Sequence, residues 1–154
     1  MDKIKELSPS RNNIFGVMVT YHPDDKLRDR IEKIRPQVDK LLIVDNNSST
    51  DCIAMIRRIA KDLNVVVIEN DSNLGIAKAL NQGFEYIKSL DNRYSWVLTL
   101  DQDSYCYSSL IQQLKSAYDD CPFQEEIGII GTNYQEKTTG RILHKRINEK
   151  ENWE

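Results

Sequence analysis

The chain has 154 residues, 40% of them hydrophobic and 29% charged; the length suits one domain, and the composition is too apolar for a disordered segment. The 21 basic and 24 acidic residues leave a net charge of −3, which argues against a nucleic-acid binder. No apolar run approaches the ~20 residues that cross a bilayer, and Met1-Asp2-Lys3-Ile4-Lys5-Glu6 has acids and no apolar core, so no signal peptide is expected.

In chain order, residues 1–13 read as a polar N-terminal segment. Ile14-Phe15-Gly16-Val17-Met18-Val19-Thr20-Tyr21 is rich in β-formers and stops at Pro23. Four similar runs follow: Leu41-Leu42-Ile43-Val44, Val65-Val66-Val67-Ile68, Trp96-Val97-Leu98-Thr99-Leu100 and Ile127-Gly128-Ile129-Ile130. Continuous rather than alternating hydrophobicity predicts strands buried on both faces of a parallel sheet.

Helical spacing fills the gaps between them. Leu27, Ile31 and Ile34 share a face that Pro36 ends; Ile53, Ile56 and Ile59 form a second. Ile76, Leu80, Phe84 and Ile87 make a third stripe, and Leu110, Leu114 and Ala117 a fourth. The alternation predicts an α/β fold: a three-layer, Rossmann-like open sheet, mostly parallel, with helices on both faces. From Gly131 onward the chain is charged and weakly periodic, so 136–154 reads as a charged C-terminal tail and 14–135 as the folded domain.

Ligands of open α/β sheets bind beyond the carboxyl ends of the strands, and here those ends are dense in polar groups. There is no GxGxxG and no GxxxxGK[ST], which removes the dinucleotide fingerprint and the P-loop. Cys52, Cys106 and Cys121 are odd in number and lack ligand spacing, so reduced thiols are expected rather than disulfides or zinc.

Asp101-Gln102-Asp103 ends an apolar strand. In extended chain, residues two apart point the same way, and two carboxylates can hold Mg²⁺ or Mn²⁺ while leaving positions for waters and phosphates. The competing reading is a polar strand end with Asp103-Ser104 capping a helix. Asp45 ends another strand; it can accept from a base or ribose, or simply begin the turn Asn46-Asn47-Ser48-Ser49, and both can hold. Asn73-Leu74-Gly75 opens the third helix, where bare amides suit a pyrophosphate; Lys78, Asn81 and Gln82 follow as contacts or as solvated side chains.

Taken in order, Val19-Thr20-Tyr21-His22-Pro23, Val44-Asp45-Asn46-Asn47-Ser48-Ser49-Thr50-Asp51, Asn73 to Gly83, and Leu98-Thr99-Leu100-Asp101-Gln102-Asp103-Ser104 resemble the N-terminal half of a family 2 glycosyltransferase of GT-A fold. The Leu-Asp-Gln-Asp-Ser form most resembles the bacterial rhamnosyltransferase-like branch. The resemblance implies that Thr20 and Tyr21 line a nucleotide pocket, that Asp45 contacts the base, and that Asn73, Gly75 and Asn81 border the base and diphosphate. It places Asp101 near ribose and sugar, and on the metal with Asp103.

The implied reaction is metal-dependent, inverting transfer from a dTDP- or UDP-linked sugar, with rhamnose from dTDP as one candidate, to a glycan or lipid-linked acceptor in polysaccharide biosynthesis. The protein would be cytoplasmic, or peripheral at the inner face of the membrane. The family's general base lies in the acceptor-binding half, beyond the matched region, so no catalytic residue is assigned here. Glu125 and Glu126 read as a solvated turn; His22 and His144 have no carboxylate or cysteine neighbour suggesting a metal set, and neither is assigned a catalytic role. The fold is therefore expected to be incomplete, inactive as a fragment and prone to self-association. A non-catalytic nucleotide-sugar-binding module, and then a nucleotidyltransferase, are the alternatives.

Overall fold

A computed structural model describes residues 8–90, 96–132, 134–135, 139 and 142–143. After a 3-10 turn at Arg11–Asn13 come β1 (Ile14–Thr20), α1 (Leu27–Ile34), a 3-10 turn at Arg35–Gln37, β2 (Lys40–Asp45) and α2 (Thr50–Leu63). They are followed by β3 (Val66–Glu69), α3 (Ile76–Lys88), β4 (Trp96–Asp101), α4 (Leu110–Asp119), a 3-10 turn at Gln124–Glu126, and the short strands β5 (Tyr134–Gln135) and β6 (Ile142–Leu143).

The local signals act where the sequence puts them. Pro36 falls in the first positions of the turn after α1 and cannot continue that helix. Ser49 caps α2 by accepting from the Cys52 N–H, and Asn64 ends it in a left-handed conformation at φ 52°.

β1 to β4 form one parallel sheet in the order β3-β2-β1-β4. The chain steps from β1 outward through β2 to β3, then returns across the sheet to place β4 on the other side of β1. Right-handed crossovers in opposite directions deliver helices to opposite faces. Leu27, Ile31 and Ile34 of α1, Ile56 and Ile59 of α2, and Ile111 of α4 pack with Met18, Leu41 and Ile43. Ala79 and Ile87 of α3 pack with Phe15, Val17, Leu42 and Val44 on the other face. This is the expected α/β architecture.

Four expectations change. Ile127-Gly128-Ile129-Ile130 is not a strand: Ile127 is tied back to the 3-10 turn by its N–H on the Gln124 carbonyl, and Ile129 is 91% exposed. Apolar content alone does not supply a pairing partner. β4 is not buried on both faces. Trp96, Leu98 and Leu100 pack on the first core, while Val97, Thr99 and Asp101 are exposed because α3 covers β1 and β2 instead.

In α3 the most buried positions are Ala79, Gly83 and Ile87, and Ile76 is exposed. The seam follows small residues that let the helix approach, offset from the large-residue stripe. In α4, Ala117 is exposed, and Ile111 and Tyr118 are buried instead.

Gly83 gives a test of that seam. A Cβ there would lie 2.7 Å from Val17 Cγ1 and 3.2 Å from Cγ2, atoms of a stiff, fully buried side chain. Alanine gains about 1 kcal/mol of helix propensity but overpacking costs about 1–3 kcal/mol. Gly83→Ala is therefore expected to lower stability by about 1 kcal/mol in urea denaturation; a more stable variant would show that the seam is loose.

β5 and β6 pair antiparallel, Tyr134 with Leu143 and Gln135 with Ile142, across the boundary expected at 135. The rest of the expected tail, with His144, lies outside the described residues, as do residues 1–7 of the N-terminal segment. Cys52, Cys106 and Cys121 are free and half-buried. Among the described residues no helix is long and apolar enough to cross a membrane.

Candidate functional site

The strand order reverses between β1 and β4, and the crevice beyond their carboxyl ends is where such sheets receive ligands. Register places the strand ends on one edge: Thr20 beside Asp45, Val19 beside Asp101, and Asp45 beside Glu69. The pleat sends Thr20 and Asp45 to the face of Met18 and Ile43. Asp101 goes to the opposite face with Val97 and Thr99.

Asp45 is wholly buried and its carboxylate is well satisfied. Oδ1 accepts from Thr20 Oγ1 at 2.7 Å and from Ser48 Oγ at 2.6 Å, and Oδ2 accepts from the Ser48 N–H at 2.8 Å. Ser48 Oγ in turn accepts from the His22 N–H at 2.8 Å, and His22 Nδ1 accepts from the Ser49 N–H at 3.2 Å. His22 takes a left-handed backbone conformation, φ 49°, to make this exchange, and Asn47 does the same at φ 68°. The Asp45 carboxylate thus anchors the turn after β2, as the turn reading expects. A base can meet it only if Thr20 or Ser48 moves aside.

The next strand end is fastened by amides. Asn46, 3% exposed, accepts from Asn70 Nδ2 at 3.0 Å. Asn70 and Gln82 exchange two bonds of 2.9 and 2.8 Å. Gln82 is thereby a link between β3 and α3.

At the start of α3, Asn73 Oδ1 accepts from the Gly75 N–H at 2.9 Å. Gly75 has φ +80°, which a side chain would strain, and a Cβ there would find nothing within 4 Å. No side chain caps this helix, and Lys78 and Asn81 are exposed.

β4 ends at Asp101, and Gln102 and Asp103 form a turn in which the Ser104 N–H reaches the Asp101 carbonyl at 3.4 Å. The period-two expectation therefore stops at Asp101, two residues short of Asp103, and the turn sets how the two carboxylates stand to each other. Both are exposed. Gln102 folds back: Oε1 accepts from the Tyr21 N–H at 2.8 Å and Nε2 donates to the Tyr21 carbonyl at 3.2 Å.

Arg30 of α1, 6% exposed, donates from Nη1 to the Gln102 carbonyl at 3.0 Å. It also grips Asp24 with both terminal nitrogens, at 2.6 and 2.8 Å, beneath the Tyr105 ring at 5.0 Å. The hydrogen bond from Arg30 holds the Asp24 carboxyl below the usual carboxylate range, against the opposing effect of desolvation. The stabilisation it gives is present above the ordinary carboxylate pKa and is lost as pH falls through the lowered one.

Of the residues named from sequence, Tyr21, Asn73, Gly75, Asn81, Asp101 and Asp103 stand exposed at the carboxyl edge, while Thr20 and Asp45 are sealed beneath it. Sequence reasoning missed Arg30. Its signal was a charge on a buried face, between Leu27 and Ile34 at helical spacing. A cavity of about 300 Å³ lined by Arg11, Glu32, Arg35, Pro36 and Leu63 lies away from this edge, and Arg35 there is already spent on the carbonyls of Leu63, Asn64 and Val38.

The sequence model described as glycosyl transferase family 2 matches residues 17–153. The chain belongs to that family. This family 2 chain is 29% identical over 92 residues to the uncharacterised protein MJ0544 of Methanocaldococcus jannaschii, a span covering 56% of this chain and 40% of the relative. It superimposes on the crystal structure of S. aureus TarS 1-349 with a TM-score of 0.55 at 18% identity, over 70% of this chain and 32% of that one.

The mannosyltransferase PcManGT of Pyrobaculum calidifontis, solved with GDP-Man and Mn²⁺, gives a TM-score of 0.53 at 20% identity, over 68% and 32% of the two chains. These likenesses establish the GT-A fold. The family 2 chain thus spans about two-fifths of the curated relative and about a third of the two structures.

Proposed function

We propose that the carboxyl edge of the sheet is the donor site of a metal-dependent sugar transferase. It takes a nucleoside-diphosphate sugar, dTDP- or UDP-linked, for transfer to a glycan or lipid-linked acceptor. Rhamnose from dTDP is the specific donor that Leu100-Asp101-Gln102-Asp103-Ser104 suggests. The observation that carries this reading is the Asp101–Asp103 turn: two exposed carboxylates anchored at the switch point of a family 2 fold.

The donor chemistry fits Mg²⁺ or Mn²⁺. Asp101 and Asp103 offer only oxygen, and the middle residue is committed to holding the turn. Two carboxylates leave the remaining positions to water and phosphate. When bound, the cation supplies Lewis-acid neutralisation of the departing diphosphate.

The chain's own residues do the rest. The uncapped start of α3 directs N–H groups at a diphosphate, bare Gly75 leaves room for it, and Lys78 adds charge one turn in. Tyr21, 46% exposed, offers its ring to base or ribose, with Asn73 and Asn81 on the border. Thr20 and Asp45 set the floor.

Calorimetric titration of the chain with UDP, dTDP and GDP, each with and without Mn²⁺, tests the reading. At least one is expected to bind about tenfold or more tightly with metal, worth ~1.4 kcal/mol. Equal affinity with and without Mn²⁺ for all three would refute it.

A further inference from the structure

We infer that Gln102 is a positioning residue: its side-chain amide, clasping the Tyr21 backbone, fixes the turn that carries Asp101 and Asp103. The inference rests on the donor-site reading above and assigns a role to the residue between the two acids.

The turn is weakly held by its own atoms. Its closing bond, Ser104 N–H to the Asp101 carbonyl, is 3.4 Å long, beyond the usual range for such bonds. The two carboxylates also repel when brought close together, which favours splaying the turn. Three bonds from outside resist that. Two join the Gln102 amide to the backbone N–H and carbonyl of Tyr21, at 2.8 and 3.2 Å, continuing past its end the pairing that sets Val19 beside Asp101. The third is from Arg30 to the Gln102 carbonyl, at 3.0 Å.

Arg30 is itself fixed by its double grip on Asp24 and by burial. Its charge is matched there, so it acts as a rigid donor rather than as an attractor for phosphate. The clasp therefore ties the β4 turn both to the loop after β1 and to α1, across 81 and 72 positions of sequence.

Gln102→Met keeps the side-chain volume and deletes both bonds at a half-exposed site, so the chain should still fold; Gln102→Ala serves as a second variant. Each is titrated with UDP, dTDP and GDP, with and without Mn²⁺, beside the unsubstituted chain, and melting temperature is recorded. The expected result is that the metal-dependent gain in nucleotide affinity falls about tenfold, in line with the loss of outer partners at metal sites. Metal-free affinity should stay within about twofold, with the melting temperature essentially unchanged.

A full gain retained in both variants overturns the inference alone. An equal loss with and without metal also overturns it, because a merely structural residue would act that way. No metal-dependent gain in the unsubstituted chain overturns the donor-site reading and this inference with it.

Discussion

Replacing Asp45 with alanine is expected to lower the folding free energy by about 3 kcal/mol. Its carboxylate takes three donors, from Thr20 Oγ1, Ser48 Oγ and the Ser48 N–H, in a site closed to solvent. Alanine leaves all three without that acceptor at about 1 kcal/mol or more each. The hydroxyls can turn toward other partners, but the Ser48 N–H is fixed by the backbone. A loss of this size is a large share of a typical total of about 5–15 kcal/mol.

Thr20→Val, which removes one donor and keeps the shape, should cost about 0.5–1.5 kcal/mol. Urea denaturation of both variants checks the comparison. An Asp45→Ala cost under 1 kcal/mol, or one no larger than that of Thr20→Val, would show that the network is not what fixes the loops after β1 and β2.

Substitution of Asp103 by asparagine is the second large effect, and it falls on binding rather than folding. Asp103 is exposed in a turn, so its loss should leave stability within about 0.5 kcal/mol. As one of two carboxylates available to a cation, its neutralisation should remove at least tenfold of the metal-dependent nucleotide affinity, ~1.4 kcal/mol. Asp101→Asn should act in the same direction. Asp45, at the end of β2, is thus expected to govern stability, and the acids at the end of β4 are proposed to govern ligand binding. If Asp103→Asn keeps the full metal-dependent gain, the cation is held elsewhere.

Much of the fold could be read from periodicity, because strands buried on both faces and helices with one apolar stripe leave opposite patterns. β1 and β2 follow their apolar runs almost residue for residue. Ile127 to Ile130 shows the limit of that reasoning: hydrophobicity reports a preference for burial, while a strand also needs a free neighbour in register. α3 shows another, since Ala79 and Gly83 are chosen for closeness to Val17 and carry little hydrophobic signal.

At the site, the acids and the glycine could be named because their chemistry is intrinsic to the residue. What holds them could not. Gln102 bonds to a peptide 81 positions away and Arg30 to a carbonyl 72 positions away, contacts that exist only once the sheet has brought β1 and β4 together. The burial of Asp45 was hidden for the same reason, as its partners are Thr20 at the end of β1 and Ser48 in the loop after β2.

In the proposed donor site, Asp101 and Asp103 hold a divalent cation at the switch point. Anomalous diffraction from crystals of the chain grown with Mn²⁺ and the tightest-binding nucleoside diphosphate would locate that ion. One strong Mn²⁺ peak is expected within bonding distance of carboxylate oxygens of both residues, next to the bound diphosphate. A peak at another part of the surface, or bound nucleotide with no metal beside that turn, would contradict it.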